Sequence, residues 1–332
     1  MENKKLRAMV IERTEDHICS RFIQEKTVDD LPEGDVLIRV KYSSLNYKDA
    51  LSATCNPGVT RNFPHTPGID AAGIVEESAH AQFKQGDPVI VTSYDLGMNT
   101  SGGFGQYVRV PAEWVVPLPE GLSLKESMIY GTAGFTAGMS IHEIVANVTP
   151  DTGEVLVTGA SGGVGSISVA ILARLGYSVV AVSGKPESAV FLEALGAKKI
   201  IPRDAVVDDS GKPLLKRRWA GAIDTVGGDI LAGVIKAMDV GGTVTCCGNV
   251  AGPELFLTVF PFILRGVRLV GIDSQNCPMA HRLKVWEHLA SNWKIDLDNG
   301  VYQEIALEQL DENIDRILAG GQTGRVLVNL ER

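Results

Sequence analysis

Short apolar runs broken by glycine, proline and acidic residues mark the first third of the chain. LRAMVIE (6–12), DVLIRVKYSSL (35–45), AAGIVEES (71–78), DPVIVTSY (87–94) and GQYVRVPAEWVVPLP (105–119) each read as strand. Turn residues between such runs predict a barrel or sandwich. From about Glu126 the rhythm changes. SMIYGTAGFTAGMSIHEIV (127–145) has apolar residues at helical spacing. Strand and helix then alternate as EVLVTGA, VGSISVAILARLG, SVVAVSG and ESAVFLEALG between 154 and 196. KKIIPR, GAIDTVG, GTVTCCGN and RLVGIDS follow as further strands. Valine and isoleucine runs without polar alternation suit strands covered on both faces. Repeated βα units predict a parallel, doubly wound sheet of the α/β class. HRLKVWEHLASNW (281–293) is helical again, and GRVLVNL (324–330) is a last strand whose sheet the pattern leaves open.

Length and charge narrow this picture. The chain has 332 residues, enough for about two domains. A net charge of −9 excludes a broad nucleic-acid surface but not a local basic pocket. The five cysteines (Cys19, Cys55, Cys246, Cys247, Cys277) are odd in number and none is spaced as CxxC. Reduced thiols are therefore expected, with neither a disulfide framework nor a cysteine zinc site. The opening MENKKLRAMVIERTEDH has no apolar core of a signal peptide, and no run approaches a membrane span. A cytoplasmic protein without membrane partners is expected.

The chemistry gathers at GASGGVG, Gly159 to Gly165, between a predicted strand and a predicted helix. In that setting glycines let the backbone approach a pyrophosphate, and the helix start offers N–H groups and partial positive charge. The strict GxGxxG spacing is absent. A ribose-binding acid belongs some 20 residues on, at the end of the next strand. Ser183, Gly184 and Lys185 stand there instead, and Arg203 follows the third strand. An acid would accept hydrogen bonds from ribose hydroxyls and repel a 2′-phosphate; a hydroxyl and two cations do the reverse. NADPH is the expected cofactor.

These residues resemble the medium-chain dehydrogenase/reductase superfamily, in its zinc-free, quinone-oxidoreductase-like division. SSLNYKDAL, FPHTPGIDAAG, YGTAGFTAG, VLVTGASGGVG, GAIDTVGG, PFILRGVRLVGIDS and GRVLV look like the NADPH-dependent acrylyl-CoA reductase branch. The resemblance covers essentially the whole chain. It implies a GroES-like β-barrel domain over 1–126 and 275–332, and a Rossmann NADPH-binding domain over 127–274. It implies cofactor roles for Tyr47, Ser161, Gly162, Gly163, Val164, Ser183, Gly184, Lys185, Arg203, Asn249 and Ser274. Thr132, in the small-residue stretch YGTAGFTAG, is a further cofactor candidate on the nicotinamide side, and helix packing explains that stretch as well. Relatives carry an apolar residue at the place of Asn249, and often a histidine and tryptophan where this chain has Thr100 and Ser101. Zinc-dependent relatives carry a cysteine near Asn46 or Tyr47 and Gly-His-Glu where Gly68, Ile69 and Asp70 stand, so no metal is expected. His17 and His65 are isolated histidines.

Without zinc ligands, the residues favour reduction of an activated C=C bond over that of a simple ketone, because nothing obvious carries an alkoxide charge. Hydride reaches the β-carbon of an enoyl thioester, donors stabilise the enolate oxygen, and the α-carbon takes a proton. Asn46, Tyr47 and Asp49 are the candidates for the catalytic end. Tyr47 donates a hydrogen bond or positions the cofactor, Asn46 orients an oxygen or carboxamide, and Asp49 holds Tyr47 or Lys48. A helix start capped by Asn46 explains the same segment. Acryloyl-CoA to propionyl-CoA is the leading reaction. Quinone or enone reduction, a non-catalytic NADPH-binding protein and, remotely, an alcohol dehydrogenase are the alternatives. VGIDS is a candidate edge for a homodimer; a monomer with that edge covered fits equally well.

Overall fold

The structure is a computed structural model and describes residues 4–16, 18–297 and 299–332. His17 lies outside them. The chain divides into two compact units, one of Met1–Thr132, Gln275–Ala290 and Tyr302–Arg332, the other of Ala133–Ser274 and Ser291–Val301.

The first unit begins with β1 (Lys5–Arg13) and β2 (Cys19–Thr27), an antiparallel pair forming a small sheet of its own. β3 (Val36–Leu45) leads into α1 (Tyr47–Ala53), and β4 (Asp70–Ser78), β5 (Pro88–Thr92), β6 (Tyr107–Val110) and β7 (Val116–Pro117) follow. α2 (Leu124–Asn147) is interrupted at Gly131, whose φ of 51° and ψ of −156° are not helical. Alternation puts Val36, Ile38 and Val40 of β3 into a core with Val75, Val89, Val91 and Val108.

In the second unit β8 (Glu154–Val157), α3 (Gly163–Arg174), β9 (Ser178–Val182), α4 (Ala189–Ala194), β10 (Lys199–Ile201), β11 (Trp219–Asp224), α5 (Gly228–Lys236), β12 (Met238–Cys246), α6 (Phe260–Arg265) and β13 (Arg268–Gly271) follow in turn. The six strands lie in the order β10-β9-β8-β11-β12-β13, all parallel. This is the doubly wound Rossmann order, whose direction reverses between β8 and β11; ligands bind beyond the strand ends at such a point.

The chain returns to the first unit through α7 (Met279–Ala290), β14 (Tyr302–Ala306), α8 (Leu310–Leu318) and β15 (Arg325–Asn329). β15 answers the question left open for GRVLVNL: it pairs antiparallel with β3 and parallel with β14, completing a seven-stranded sheet.

One expectation is overturned. Cys19 and Cys55 form a disulfide, with Cα atoms 6.1 Å apart, while Cys246, Cys247 and Cys277 are outside any disulfide. Counting cysteines and testing for CxxC is blind to this pair. The fold brings the first residue of β2 to the residue two past the end of α1, within the Cα separation a disulfide spans.

Candidate active site

Two groups of residues carry the chemistry, one in each unit. In the second, Gly162 caps α3, so the first N–H groups of that helix open onto the loop after β8. A Cβ on Gly165 would lie 2.3 Å from the Gly159 carbonyl oxygen, which is why glycine is needed where the helix closes on the loop. Around Gly162 a Cβ would meet only that same oxygen, at 3.3 Å, so the backbone there is open to close approach. The ends of the two central strands are tied together. Thr158 Oγ1 donates to Asp224 Oδ1 at 2.7 Å, and Asp224 Oδ2 accepts from the Gly227 N–H, also at 2.7 Å. Burial raises the Asp224 carboxyl above its usual range, against those hydrogen bonds.

The end of β9 is built of hydroxyls and cations. Ser183 Oγ lies 3.4 Å from Ser161 Oγ and 2.9 Å from Ser188 Oγ, and it accepts from the Lys185 N–H at 3.1 Å. Arg203 lies over the backbone of Gly184: a Cβ there would be 2.5 Å from Arg203 Nε. Lys185 is lowered from the ordinary lysine range by burial first and also by the charge of Arg203, with Glu187 opposing. Two cations held beside a hydroxyl, next to a helix N-terminus, fit a dinucleotide that bears a phosphate on its ribose. Val164 is in the first turn of α3. Asn249 is exposed, in the loop that packs on Gly227, and Ser274 is half-buried three residues after β13.

In the first unit Asn46, Asp49 and Thr132 converge on Asp70, which is fully buried at the start of β4. Asp70 Oδ2 accepts from Asn46 Nδ2 at 2.7 Å and from Ser44 Oγ at 2.6 Å, and Asp70 Oδ1 accepts from Thr132 Oγ1 at 2.6 Å. Thr132 Oγ1 is also 3.0 Å from Ser93 Oγ. Asp49 does not hold Tyr47 or Lys48, as the sequence led us to expect. Its carboxylate accepts from the Asn46 N–H (2.8 Å), Asn46 Nδ2 (3.2 Å) and the Ile69 N–H (2.7 Å), while Lys48 Nζ donates to Gln275 Oε1 at 2.6 Å. The reason lies in helix geometry. Asp49 is the third residue of α1 and turns back to the N-terminal N–H groups, the returning half of a capping box. Burial, and then the charge of Asp70, push the Asp49 carboxyl up to about 7, against those hydrogen bonds. Asn46 has its amide committed inward, its Oδ1 accepting from Arg325 Nη1 at 3.1 Å. Tyr47 stands apart, with 40% of its surface exposed.

Residues 32–120 match the alcohol dehydrogenase GroES-like domain family, and residues 163–291 match the zinc-binding dehydrogenase family. YhfP of Bacillus subtilis, which carries a quinone oxidoreductase name, is 46% identical over 97% of this chain and 98% of its own. The acrylyl-CoA reductase AcuI of Ruegeria pomeroyi is 43% identical over the same shares. The chain belongs to the medium-chain dehydrogenase/reductase family. The crystal structure of the yhdH oxidoreductase from Salmonella enterica in complex with NADP superposes with a TM-score of 0.94 at 42% identity, covering 97% of this chain and 99% of that one. The structure of YhfP with NAD bound gives 0.95 at 44%, covering 98% and 99%. The relatives of this medium-chain dehydrogenase/reductase are thus oxidoreductases seen with either dinucleotide. One matched family is named for zinc, and the residues here do not fit that ion. Among the described residues no three His, Cys, Asp or Glu side chains gather in a metal-holding group, and the amide of Asn46 and the guanidinium of Arg325 surround Asp70.

Sequence reading singled out Asn46, Asp49 and Thr132 but passed over what joins them: Asp70, Ser44 and Arg325. The signal was present in GIDAAG and GRVLV, which place an acid and an arginine inside otherwise apolar strands.

Proposed function

We propose that the protein is an NADPH-dependent reductase of the activated C=C bond of a short 2-enoyl-CoA, with acryloyl-CoA converted to propionyl-CoA. The observation that carries this reading is the likeness to acrylyl-CoA reductase at 43% identity over nearly the whole of both chains. The dinucleotide, when bound, supplies the hydride. In the second unit, the loop Ser161, Gly162, Gly163 and Val164 with the start of α3 receives its pyrophosphate, and Ser183, Gly184, Lys185 and Arg203 receive the ribose phosphate. Asn249 and Ser274 add contacts from the same unit. In the first unit, Thr132 and Tyr47 orient the nicotinamide end. Tyr47, with its phenol exposed, donates to the thioester oxygen as negative charge collects there, the place where a donor lowers the barrier most. Asn46 and Asp49 act from behind it, since their polar atoms are turned into the protein.

YhfP, at 46% identity, supports a second reading in which a quinone or enone is reduced. Steady-state oxidation of NADPH and NADH, each with acryloyl-CoA and with a simple quinone, separates the two. Turnover of acryloyl-CoA with strong NADPH preference is the expected result. Turnover of quinone alone moves the reading to the second substrate, and turnover of neither rejects both.

We also propose that the second unit pairs with a second copy of the chain. β13 ends the six-stranded sheet, and in the segment just before it Phe256, Val259, Ile263 and Leu264 expose between 61% and 76% of their surfaces. Several large apolar side chains exposed within one short segment suit an interaction site, and the same segment on two copies can close a two-fold dimer. Light scattering is expected to give twice the chain mass for the native protein and the single mass for Ile263→Lys. A single mass for the native protein rejects the pairing. No helix among the described residues is long and apolar enough to cross a membrane.

A further inference from the structure

The interruption of α2 at Gly131 leaves backbone groups that an unbroken helix would have paired. The carbonyl of Ile129 belongs to the end of the first stretch and the N–H of Thr132 to the start of the second. Each is met by a buried charge of the sign that the helix dipole favours at that end. Arg325 Nε donates to Ile129 O at 3.0 Å. The Asp70 carboxylate accepts from the Thr132 N–H at 2.9 and 3.0 Å. The two charges are 3.9 Å apart, beyond a hydrogen bond, and Ser44 bridges them. Its Oγ accepts from Arg325 Nη2 at 2.8 Å and donates to Asp70 Oδ2 at 2.6 Å. A Cβ on residue 131 would come 2.4 Å from that hydroxyl and 2.5 Å from Asp70 Oδ2, so glycine is required for the backbone to reach the pair.

The same pair grips the start of α1. Arg325 Nη1 donates to Asn46 Oδ1 at 3.1 Å and to Leu45 O at 3.3 Å, and Asn46 Nδ2 donates to Asp70 Oδ2. Asn46 immediately precedes Tyr47. Two candidate groups of the first unit, on separate helical segments, are therefore held from one buried point supplied by two different strands, β4 and β15.

We infer that Asp70 and Arg325, bridged by Ser44, are positioning residues that fix Thr132 and the start of α1 relative to each other. The inference rests on the proposed function for its kinetic consequence but not for its structural one. Two variants of the full chain test it. Asp70→Asn keeps the shape and removes the charge; Ser44→Ala keeps both charges and removes the bridge. Amide hydrogen exchange is expected to rise at residues 45–50 and 130–134 together in both variants, with protection elsewhere unchanged. The kcat for acryloyl-CoA is expected to fall about 100-fold in Asp70→Asn, the scale of a displaced reacting group. In Ser44→Ala a fall of about tenfold is expected, the scale of one buried hydrogen bond. KM stays within about threefold in both, because neither side chain touches substrate in this scheme. An increase in exchange confined to one segment overturns the inference, as does an unchanged kcat in an enzyme that turns over. If Asp70→Asn does not fold, Ser44→Ala decides by the same criteria. A native protein without enoyl-CoA turnover rejects the proposed function, and the exchange pattern alone then upholds or overturns the positioning role.

Discussion

Replacing Lys185 and Arg203 together by alanine is expected to weaken NADPH binding by about 10³-fold while changing NADH binding by less than about threefold. The magnitude follows from two charge-assisted hydrogen bonds to a phosphate, each worth roughly 1.5–3 kcal/mol. The selectivity follows from geometry. Lys185 lies just beyond β9 with Arg203 over the Gly184 backbone beside it, whereas the proposed pyrophosphate contacts are the loop Ser161 to Val164 at the start of α3. Holding two cations together is unfavourable by itself, and the charge of Arg203 adds to the burial that chiefly lowers Lys185. A dianion between them reverses that repulsion, so the single variants are expected to lose less than half of the combined effect in free energy. Fluorescence titration of each dinucleotide against the native protein and the three variants reads this directly. Equal losses for NADH and NADPH would mean that the pair holds the pyrophosphate, and no loss would remove it from the site. The comparison is pointed, because relatives of nearly equal likeness have been seen with NADP and with NAD.

The parts of this fold visible in the sequence are those whose causes are local. The β8–α3 unit declares itself through an apolar run, a glycine loop and helical spacing within about twenty residues, and β9 to β13 repeat the theme. β2, CSRFIQEKT, escaped because charged and polar residues fall on both of its faces; its burial pattern contains no fully buried position. β14, YQEIA, is short and has one buried residue. The candidate site divides in the same way. Asn46 as a helix cap and Lys185 beyond β9 follow from positions counted along the chain. That Asp49 reaches the Ile69 N–H, or that Arg325 caps the carbonyl of Ile129, depends on contacts between elements far apart in sequence, which periodicity does not encode. Apolar spacing over residues 127–145 predicts helix, and α2 covers them; what the pattern hides is the break at Gly131 within that helix.

The disulfide, the other feature hidden from sequence, gives the second large effect. Reducing Cys19–Cys55 is expected to lower stability by about 4 kcal/mol, the loop-closure entropy of a crosslink spanning 36 residues. For a unit of this size the loss corresponds to roughly 10 °C in Tm. The closed loop contains β3 and α1, which makes the effect local as well as global. α1 has seven residues, too few to hold its own helical structure in water. Its first turn is held by Asp49 and Asn46, and the chain just past its last turn is held by Cys55, whose φ of 58° places it in the left-handed region. Without the crosslink the C-terminal end of α1 keeps the hydrogen bond of Ser52 Oγ to Thr60 Oγ1 at 2.6 Å but loses its covalent tie to β2, and α1 is expected to fray from that end toward Tyr47. Thermal unfolding with and without a dithiol, repeated on Cys55→Ser, checks the assignment. The variant should unfold where the reduced native protein does and should gain nothing from reductant. Thiol titration before reduction should find three reactive groups in the unfolded chain and, after it, five. Five at the outset would mean that the pair does not form. Three followed by five with no change in Tm would mean that the native contacts between β2 and α1, rather than the crosslink, hold this end of the helix in place.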